Sequence, residues 1–96
     1  MINSFGNKTT ENIFNGISNK KTRSLPNEII GIIQRKLDYI NAAVELNDLK
    51  VPPAIRLEKL KGNLKEYHSI RINDQFRIIF IWESMGTSEV QVIDYH

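Results

Sequence analysis

The stretch His68–Trp82, HSIRINDQFRIIFIW, decides the fold of this chain. Two runs of alternating apolar residues flank the polar tripeptide Asn73–Gln75, a pattern typical of a β-hairpin. A three-residue loop places Ile70 opposite Ile78, whereas a two-residue loop mixes charged and apolar side chains on each face. Because a one-residue slip exchanges the faces, the apolar pattern favours the longer loop. We expect an Asn or Asp of this loop to adopt the left-handed conformation.

The same register makes Arg71 and Arg77 neighbours across the two strands, on the second face of the hairpin. Like charges directly opposite each other are destabilising, by up to about 1 kcal/mol. Two explanations stay open. Either the guanidinium groups are solvated or paired with Asp94 or Glu58, or they form a phosphate-binding pair, since the arginine fork fits phosphate.

A long amphipathic helix is predicted to begin around Pro26. Apolar residues recur at spacings of three and four, which is typical of a helix packed on an apolar surface. The sequence Pro52-Pro53 forbids helix beyond about Val51. Gly31 lies inside the helix, and close packing on a sheet would explain it. The predicted apolar stripe consists of Ile29, Ile33, Leu37, Ile40 and Val44.

The weaker elements complete an α+β arrangement, in which two N-terminal helices pack on one face of a small, mainly antiparallel twisted sheet. Their signals are short apolar runs bounded by turn residues. The predicted elements are a strand at Met1–Phe5, a helix over Lys8–Asn15 capped by Thr9 or Thr10, a strand within Ala54–Gly62 and a final strand at Glu89–His96.

Length and composition restrict the classes of protein. A chain of 96 residues predicts one domain. The absence of cysteine excludes disulfides and thiolate metal sites. No apolar run reaches membrane-spanning length, and the N-terminus lacks a signal-peptide core, so we expect a cytoplasmic protein with no membrane partner. The segment from Arg56 to Arg77 carries six basic and three acidic residues, which is compatible with nucleic-acid binding or with a solvated surface.

The sequence ends in Asp94-Tyr95-His96, three residues whose side chains could take part in catalysis. Histidine has an ordinary pKa near neutrality and is suited to proton transfer. An aspartate can orient an imidazole, and a tyrosine can stack on a nucleobase. Strand alternation places Asp94 and His96 on one face and Tyr95 on the other. The alternative is a frayed polar terminus.

Three of these segments together resemble HigB toxins of the RelE-like superfamily: Leu60-Lys61-Gly62, Ser69–Ile78 and Asp94-Tyr95-His96. The resemblance extends to the opening Met1–Phe5 and so covers nearly the whole chain. It implies one RelE-like toxin domain over residues 1–96, which cleaves mRNA in the A site of the 70S ribosome without metal or cofactor. It also implies a HigA-like helix-turn-helix antitoxin, through which alone the toxin would meet operator DNA.

The resemblance assigns roles to individual residues. It implies that Arg77 holds the scissile phosphate, while the 2′-hydroxyl attacks that phosphate with the help of a general acid and base. The catalytic candidates are therefore Arg77, Asp94, Tyr95 and His96, with His96 as acid or base. The candidates along the RNA path are Lys61, Arg71, Glu58 and Lys59. Some HigB toxins have a histidine where this chain has Glu58, which leaves the acid and base roles open.

Three rival interpretations stay open. The first is a non-catalytic RelE-like module that acts only with its antitoxin in transcriptional repression, an interpretation that Glu58 supports. The second is a plain nucleic-acid-binding domain. The third is a metal site formed by His68, His96 and Asp94, for which the spacing is a weak signal. For His68 we expect a structural role at the start of the hairpin.

Overall fold

A computed structural model describes residues 1–50 and 56–95 of the chain. In this part, two α-helices precede four β-strands that form one antiparallel sheet in the order β1-β2-β3-β4. Side chains of both helices join one apolar core with the sheet, so the predicted α+β arrangement is confirmed. The elements are α1 (Lys8–Phe14), α2 (Asn27–Ala42), β1 (Glu58–Lys59), β2 (His68–Arg71), β3 (Phe76–Glu83) and β4 (Gly86–Asp94).

The central hairpin has the predicted register. Ile70 pairs with Ile78 and Arg71 pairs with Arg77. The Ile72 N–H donates a hydrogen bond of 3.0 Å to the Phe76 carbonyl, so the hairpin closes through the three residues Asn73–Gln75. The apolar partners face α2, where Ile70 and Ile78 are fully buried. The burial of this face explains the register, because a slip by one residue would place an arginine of one strand opposite an apolar residue of the other and so bring a charge onto the core face.

The loop of the hairpin is stabilised differently from our expectation. Among the described non-glycine residues, a positive φ occurs only at Arg56 and Glu89, so the predicted left-handed Asn or Asp is wrong. Instead the Asn73 side-chain oxygen accepts hydrogen bonds from the backbone N–H groups of Gln75 (2.9 Å) and Phe76 (2.7 Å). These bonds close the turn without a left-handed residue.

Helix α2 begins directly after Pro26 and buries the middle of the predicted stripe. Ile33, Leu37 and Ile40 have no exposed surface. Our explanation of Gly31 is wrong. Apart from the backbone of the helix itself, the only atoms of residues 1–50 and 56–95 that a Cβ atom there would approach within 4 Å belong to the flexible Arg35 side chain, at 3.8 Å.

The C-terminal end of α2 comes earlier than the proline pair requires. The helix ends at Ala42, and Val44 is 85% exposed, so its place in the stripe is wrong. The Asp48 carboxylate accepts hydrogen bonds from the N–H groups of Val44 and Glu45, both at 2.9 Å, and these bonds lower the pKa of Asp48. They fix a turn in which Leu49 is buried in place of Val44.

Helix α1 has a different N-cap from the predicted Thr9 or Thr10. The Asn7 side-chain oxygen accepts a hydrogen bond from the Thr10 N–H at 2.9 Å, as is usual for an N-cap asparagine. The helix ends before Asn15, and Gly16 follows with a φ of 72°. Glycine suits this left-handed position, so the predicted stop is confirmed.

The N-terminal segment lies beside β4 and runs parallel to it. Isolated bridges join Ile2 to Thr87 and Phe5 to Val90, so the strand predicted at Met1–Phe5 is present only as two bridges. Two other predicted strands also differ in extent. β1 covers two residues of the predicted Ala54–Gly62, of which residues 54 and 55 lie outside the described part, and β4 starts earlier than predicted, at Gly86.

The two faces of the sheet have different environments. One face carries the core with α1 and α2. The other carries Ser69, Arg71 and Arg77, together with Ile79, which is buried outside the main core cluster. No helix in residues 1–50 and 56–95 is long and apolar enough to cross a membrane.

Candidate active site

A cleft of about 290 Å³ brings together four of the predicted site residues. It includes the edge strand β1, which pairs with β2 through Glu58 and Ser69, and it also includes Tyr95, which follows β4. Gly62, with a φ of 66°, then turns the chain into a short 3-10 turn. The cleft is lined by Glu58, Lys59, Leu60, Lys61, Leu64 and Tyr95.

Arg77 is held at one side of the Tyr95 ring. Its guanidinium carbon lies 5.1 Å from the centroid of that ring, a distance at which a cation attracts an aromatic face. Its Nη1 donates hydrogen bonds to the backbone carbonyls of Asn73 (2.8 Å) and Phe76 (3.4 Å). The structure therefore joins Arg77, predicted to hold the phosphate, to the cleft through Tyr95.

Arg71 has a carboxylate partner that differs from the two suggested by the sequence. It forms an ion pair with Asp74 of the hairpin loop, whereas the sequence analysis suggests Asp94 or Glu58. The Asp74 side chain is 98% exposed and that of Arg71 is 31% exposed. Exposed pairs of this kind stabilise a fold by at most about 1 kcal/mol. An incoming anion can therefore replace Asp74 at little cost.

Asp94 lies on the other face of the sheet from Tyr95. It pairs in register with Phe76 and lines a second cleft beside α1, together with Lys21 and Thr9. Its carboxylate accepts a hydrogen bond from Gln75 Nε2 at 3.1 Å. Asp94 is thus not brought into the cleft with Tyr95, and its catalytic role stays a prediction. His96 lies outside the described residues.

His68 lies on the core side of the sheet. Its ring stacks on Phe80 with 6.0 Å between the ring centroids. Its Nδ1 atom is buried, and the described residues provide no hydrogen-bond partner for it. Burial, with a smaller contribution from the charge of Lys59, lowers the pKa of His68. This placement agrees with the structural role expected for His68.

The interpretation of a metal site needs a cluster of metal-binding side chains. Residues 1–50 and 56–95 contain no group of three or more His, Cys, Asp or Glu side chains placed to hold a metal ion. His96, one of the three ligands in that interpretation, lies outside these residues.

The contacts of the hairpin loop with the site residues were not predicted from the sequence. Each loop residue contacts a predicted site residue: Asn73 contacts Arg77, Asp74 contacts Arg71, and Gln75 contacts Asp94 and Tyr95. A signal was present, because three polar side chains stand between two arginines in the sequence. Their residue types, however, are equally typical of a simple turn.

The assembled groups have the chemistry of an anion site. Arg77 and the Lys59 and Lys61 ammonium groups provide positive charge, and arginine is suited to binding phosphate oxygens. The Glu58 carboxylate is a proton acceptor, and the Tyr95 phenol is an aromatic surface with a polar end. Such a set can bind a phosphodiester and accept a proton next to it.

Comparisons with known proteins agree with the resemblance seen in the sequence. The model of a family described as the RelE-like toxin of the type II toxin–antitoxin system HigB matches residues 3–96. Toxin HigB-1 of Vibrio cholerae serotype O1 is 46% identical over 63 residues, which are 66% of each chain. An uncharacterized protein of Haemophilus influenzae is 40% identical over 60 residues, which are 62% of this chain and 59% of that protein.

The matched segments span less than two thirds of the length of these two relatives. Among solved structures, the fold is similar to a chain of the YoeB-YefM complex from Staphylococcus aureus, with a TM-score of 0.63, 21% identity and coverage of 100% of this chain and 98% of that one. At this identity the likeness supports the fold alone. The family match over residues 3–96 shows that the chain belongs to the HigB-like family, the RelE-like toxins of type II toxin–antitoxin systems.

Proposed function

We propose that this toxin is a ribosome-dependent endoribonuclease that cleaves mRNA in the A site and so inhibits translation. One observation carries the proposal: Arg77 lies against Tyr95, and Tyr95 lines a cleft with Glu58 and Lys61. An arginine suited to phosphate, an aromatic ring and a carboxylate thus come together on one face of the sheet.

The proposed reaction uses the 2′-hydroxyl of the RNA as nucleophile. The 2′-oxygen forms a bond to the adjacent phosphorus as the bond from phosphorus to the 5′-oxygen breaks. A base accepts the 2′-hydroxyl proton, and an acid donates a proton to the leaving 5′-oxygen. The products are a 2′,3′-cyclic phosphate, which water can open to a 3′-phosphate, and a 5′-hydroxyl end.

Residues of the cleft and of the chain end divide this work. We assign the base to Glu58, because its carboxylate lines the cleft, and the acid to His96. Arg77 stabilises the negative charge that develops on the phosphorane oxygens. Tyr95 stacks on an unstacked base, and Asp94 orients His96.

The remaining cations bind the RNA backbone on either side of the scissile phosphate. Lys59 and Lys61 bind the backbone from the cleft. Arg71 binds it from β2, where it pairs with Arg77 of β3. Arg71 exchanges Asp74 for a phosphate when the RNA arrives.

Membership of a toxin–antitoxin family supports an antitoxin partner for this chain. We propose that residues 1–96 act as one toxin domain, bound by a HigA-like helix-turn-helix antitoxin that alone contacts operator DNA. The chain of similar fold from Staphylococcus aureus was solved within a complex, YoeB-YefM, which is compatible with such an assembly. Because its substrate is mRNA on the 70S ribosome, we place the toxin in the cytoplasm.

The decisive experiment is primer extension on mRNA incubated with 70S ribosomes. Wild-type protein should give cuts at discrete A-site codons. Arg77→Ala should lower the cleavage rate by at least about 100-fold, a typical cost of removing one group that stabilises transition-state charge. A chain that ends at Tyr95 should lose about 100-fold or more, as expected for a missing general acid. Arg35→Ala, which changes an exposed arginine on α2, should leave the rate unchanged.

Two outcomes would contradict different parts of this proposal. Cleavage that survives both changes would refute the assignment of Arg77 and His96. A folded wild-type protein that cuts no mRNA on ribosomes, while it still binds its antitoxin, would favour the alternative of a non-catalytic module acting in transcriptional repression. The presence of Glu58 where some HigB toxins have histidine is the observation that keeps this alternative in consideration.

A further inference from the structure

We infer that Asn73 is a positioning residue, which holds the Arg77 guanidinium and the Tyr95 backbone in the geometry required for RNA cleavage. The inference rests on the function proposed above and adds to it a residue outside the predicted site. Asn73 acts through its neighbours, since its Oδ1 atom binds the loop and its backbone carbonyl binds Arg77.

The side chain of Asn73 fixes the conformation of its own loop. Its Oδ1 atom accepts hydrogen bonds from two successive backbone N–H groups, those of Gln75 at 2.9 Å and Phe76 at 2.7 Å. Because these bonds span the whole turn between β2 and β3, they determine the direction of the peptide groups in the loop. The Asn73 carbonyl is one of these groups.

That carbonyl orients Arg77. Arg77 Nη1 donates a hydrogen bond of 2.8 Å to the Asn73 oxygen, while the guanidinium lies 5.1 Å from the Tyr95 ring centroid. An arginine side chain has several rotatable bonds and loses rotamer entropy when it is fixed in place. A fixed acceptor on one side and a ring on the other select one orientation before RNA arrives.

The Asn73 side chain is also linked to Tyr95, through two hydrogen bonds that share Gln75. Gln75 donates its N–H to Asn73 Oδ1, and the carbonyl of Gln75 accepts the Tyr95 N–H at 2.7 Å. The loop conformation that Asn73 sets therefore determines the position of the Tyr95 backbone after the end of β4. Both partners of the Arg77–Tyr95 contact thus depend on one amide group.

The hairpin itself does not depend on Asn73. Its register is set by buried apolar pairs such as Ile70 with Ile78, and Asn73 itself is only half-buried. Loss of the Asn73 side chain should therefore loosen the loop while the sheet stays folded. This separation allows a positioning role to be measured apart from stability.

Three variants test the side-chain oxygen. Asn73→Ala removes the acceptor, Asn73→Asp keeps an oxygen in the same place with added charge, and Asn73→Ser offers a shorter neutral acceptor. In single-turnover cleavage on 70S ribosomes, Asn73→Ala should lower the rate by about 10-fold to 100-fold, since small misplacements of reacting groups have effects of this order. Asn73→Asp should restore most of the lost rate, and Asn73→Ser part of it.

A double-mutant cycle with Arg77 separates positioning from a general effect on folding. If Asn73 acts through Arg77 and the Tyr95 ring held against it, Asn73→Ala should lower the residual rate of the Arg77→Ala protein by clearly less than it lowers the wild-type rate. A full additional loss in that background, or an equal loss with Asn73→Ala and Asn73→Asp, would overturn the inference.

A second measurement does not depend on cleavage. The Nε–Hε signal of Arg77 in ¹⁵N NMR spectra should report one ordered conformation in the wild type and in Asn73→Asp, and increased mobility in Asn73→Ala. An unchanged Arg77 signal in Asn73→Ala would overturn the inference. If wild-type protein fails to cut mRNA, the proposed function fails, and the NMR comparison still decides whether Asn73 orders Arg77.

Discussion

Two facing arginines create a repulsion that individual neighbouring side chains offset. Asp74 pairs with Arg71, and the Tyr95 ring lies against Arg77. For the proposed function, the two arginines differ in one respect. Arg71 would exchange an exposed carboxylate for a phosphate, whereas neither of the two ion pairs in residues 1–50 and 56–95 includes Arg77. This difference supports Arg77 as the residue nearest the scissile phosphate.

His68 allows a prediction about the pH dependence of stability. Burial lowers its pKa in the folded protein below the ordinary value of 6.5. As the pH falls through 6.5, the unfolded chain binds a proton at His68 that the folded chain does not bind. The free energy of unfolding should therefore decrease as the pH falls below about 6.5 and should level off above it.

Urea unfolding of wild type and His68→Gln between pH 5 and pH 8 measures this effect. The wild-type curve should fall more steeply on the acid side, by at most the equivalent of one proton. The rest of the sequence is the same in both proteins, so the difference between the two curves isolates His68. Parallel curves would show that His68 is protonated equally in the folded and unfolded states.

Among the elements, α2 ends where local hydrogen bonds, and not the apolar pattern of the sequence, determine the last helical residue. The apolar stripe continues to Val44 in the sequence, but the helix ends at Ala42, where Asp48 binds the following backbone N–H groups. The buried position passes to Leu49, which is 1% exposed. The side chain of Asp48, six residues after the end of α2, thus helps to set the length of the buried face of that helix.

Two substitutions of stripe residues should therefore have unequal effects. Leu37→Ala removes a fully buried side chain and should cost about 2–5 kcal/mol of the free energy of unfolding. Val44→Ala changes a side chain that is 85% exposed and should stay within about 0.5 kcal/mol. Urea unfolding at constant pH measures both values. A loss of about 2 kcal/mol or more for Val44→Ala would show that Val44 is buried, as the longer predicted stripe requires.

In the whole molecule, the sheet separates the residues that form the core from those that we propose act on RNA. The core with both helices lies on one face, while Arg71 and Arg77 lie on the other, next to the cleft at the sheet edge. Because the two sets of side chains are on opposite faces, charges on the second face can be arranged for RNA without disturbing the core.

This arrangement predicts how salt affects binding to RNA. On 70S ribosomes programmed with a 2′-O-methyl A-site codon, which blocks the attacking oxygen, wild-type affinity should fall as salt increases. Arg71→Gln should reduce the slope of log affinity against log salt by about 0.7, the value for one phosphate contact on a single strand. Arg35→Gln on α2 should leave the slope unchanged. Equal slopes for all three proteins would mean that Arg71 contacts no phosphate.

The sequence by itself determined the hairpin register, the fold class and the residues of α2 that reach the core. These features depend on local alternation and periodicity, and the burial of one face leaves a single acceptable arrangement. Motifs spread along the chain also indicate the family without reference to the fold. Most candidate site residues are identified in the same way, because their types and order match a pattern.

Only the tertiary structure decided which of those residues meet. Tyr95 joins Glu58 and Lys61 in one cleft, whereas its neighbour Asp94 lines another, and Arg71 pairs with Asp74 rather than with either predicted carboxylate. Contacts between residues far apart in the chain depend on how β1, β3 and β4 pack together. Short-range contacts such as those of Asn73 depend on hydrogen-bond geometry within a turn, which residue type alone does not specify.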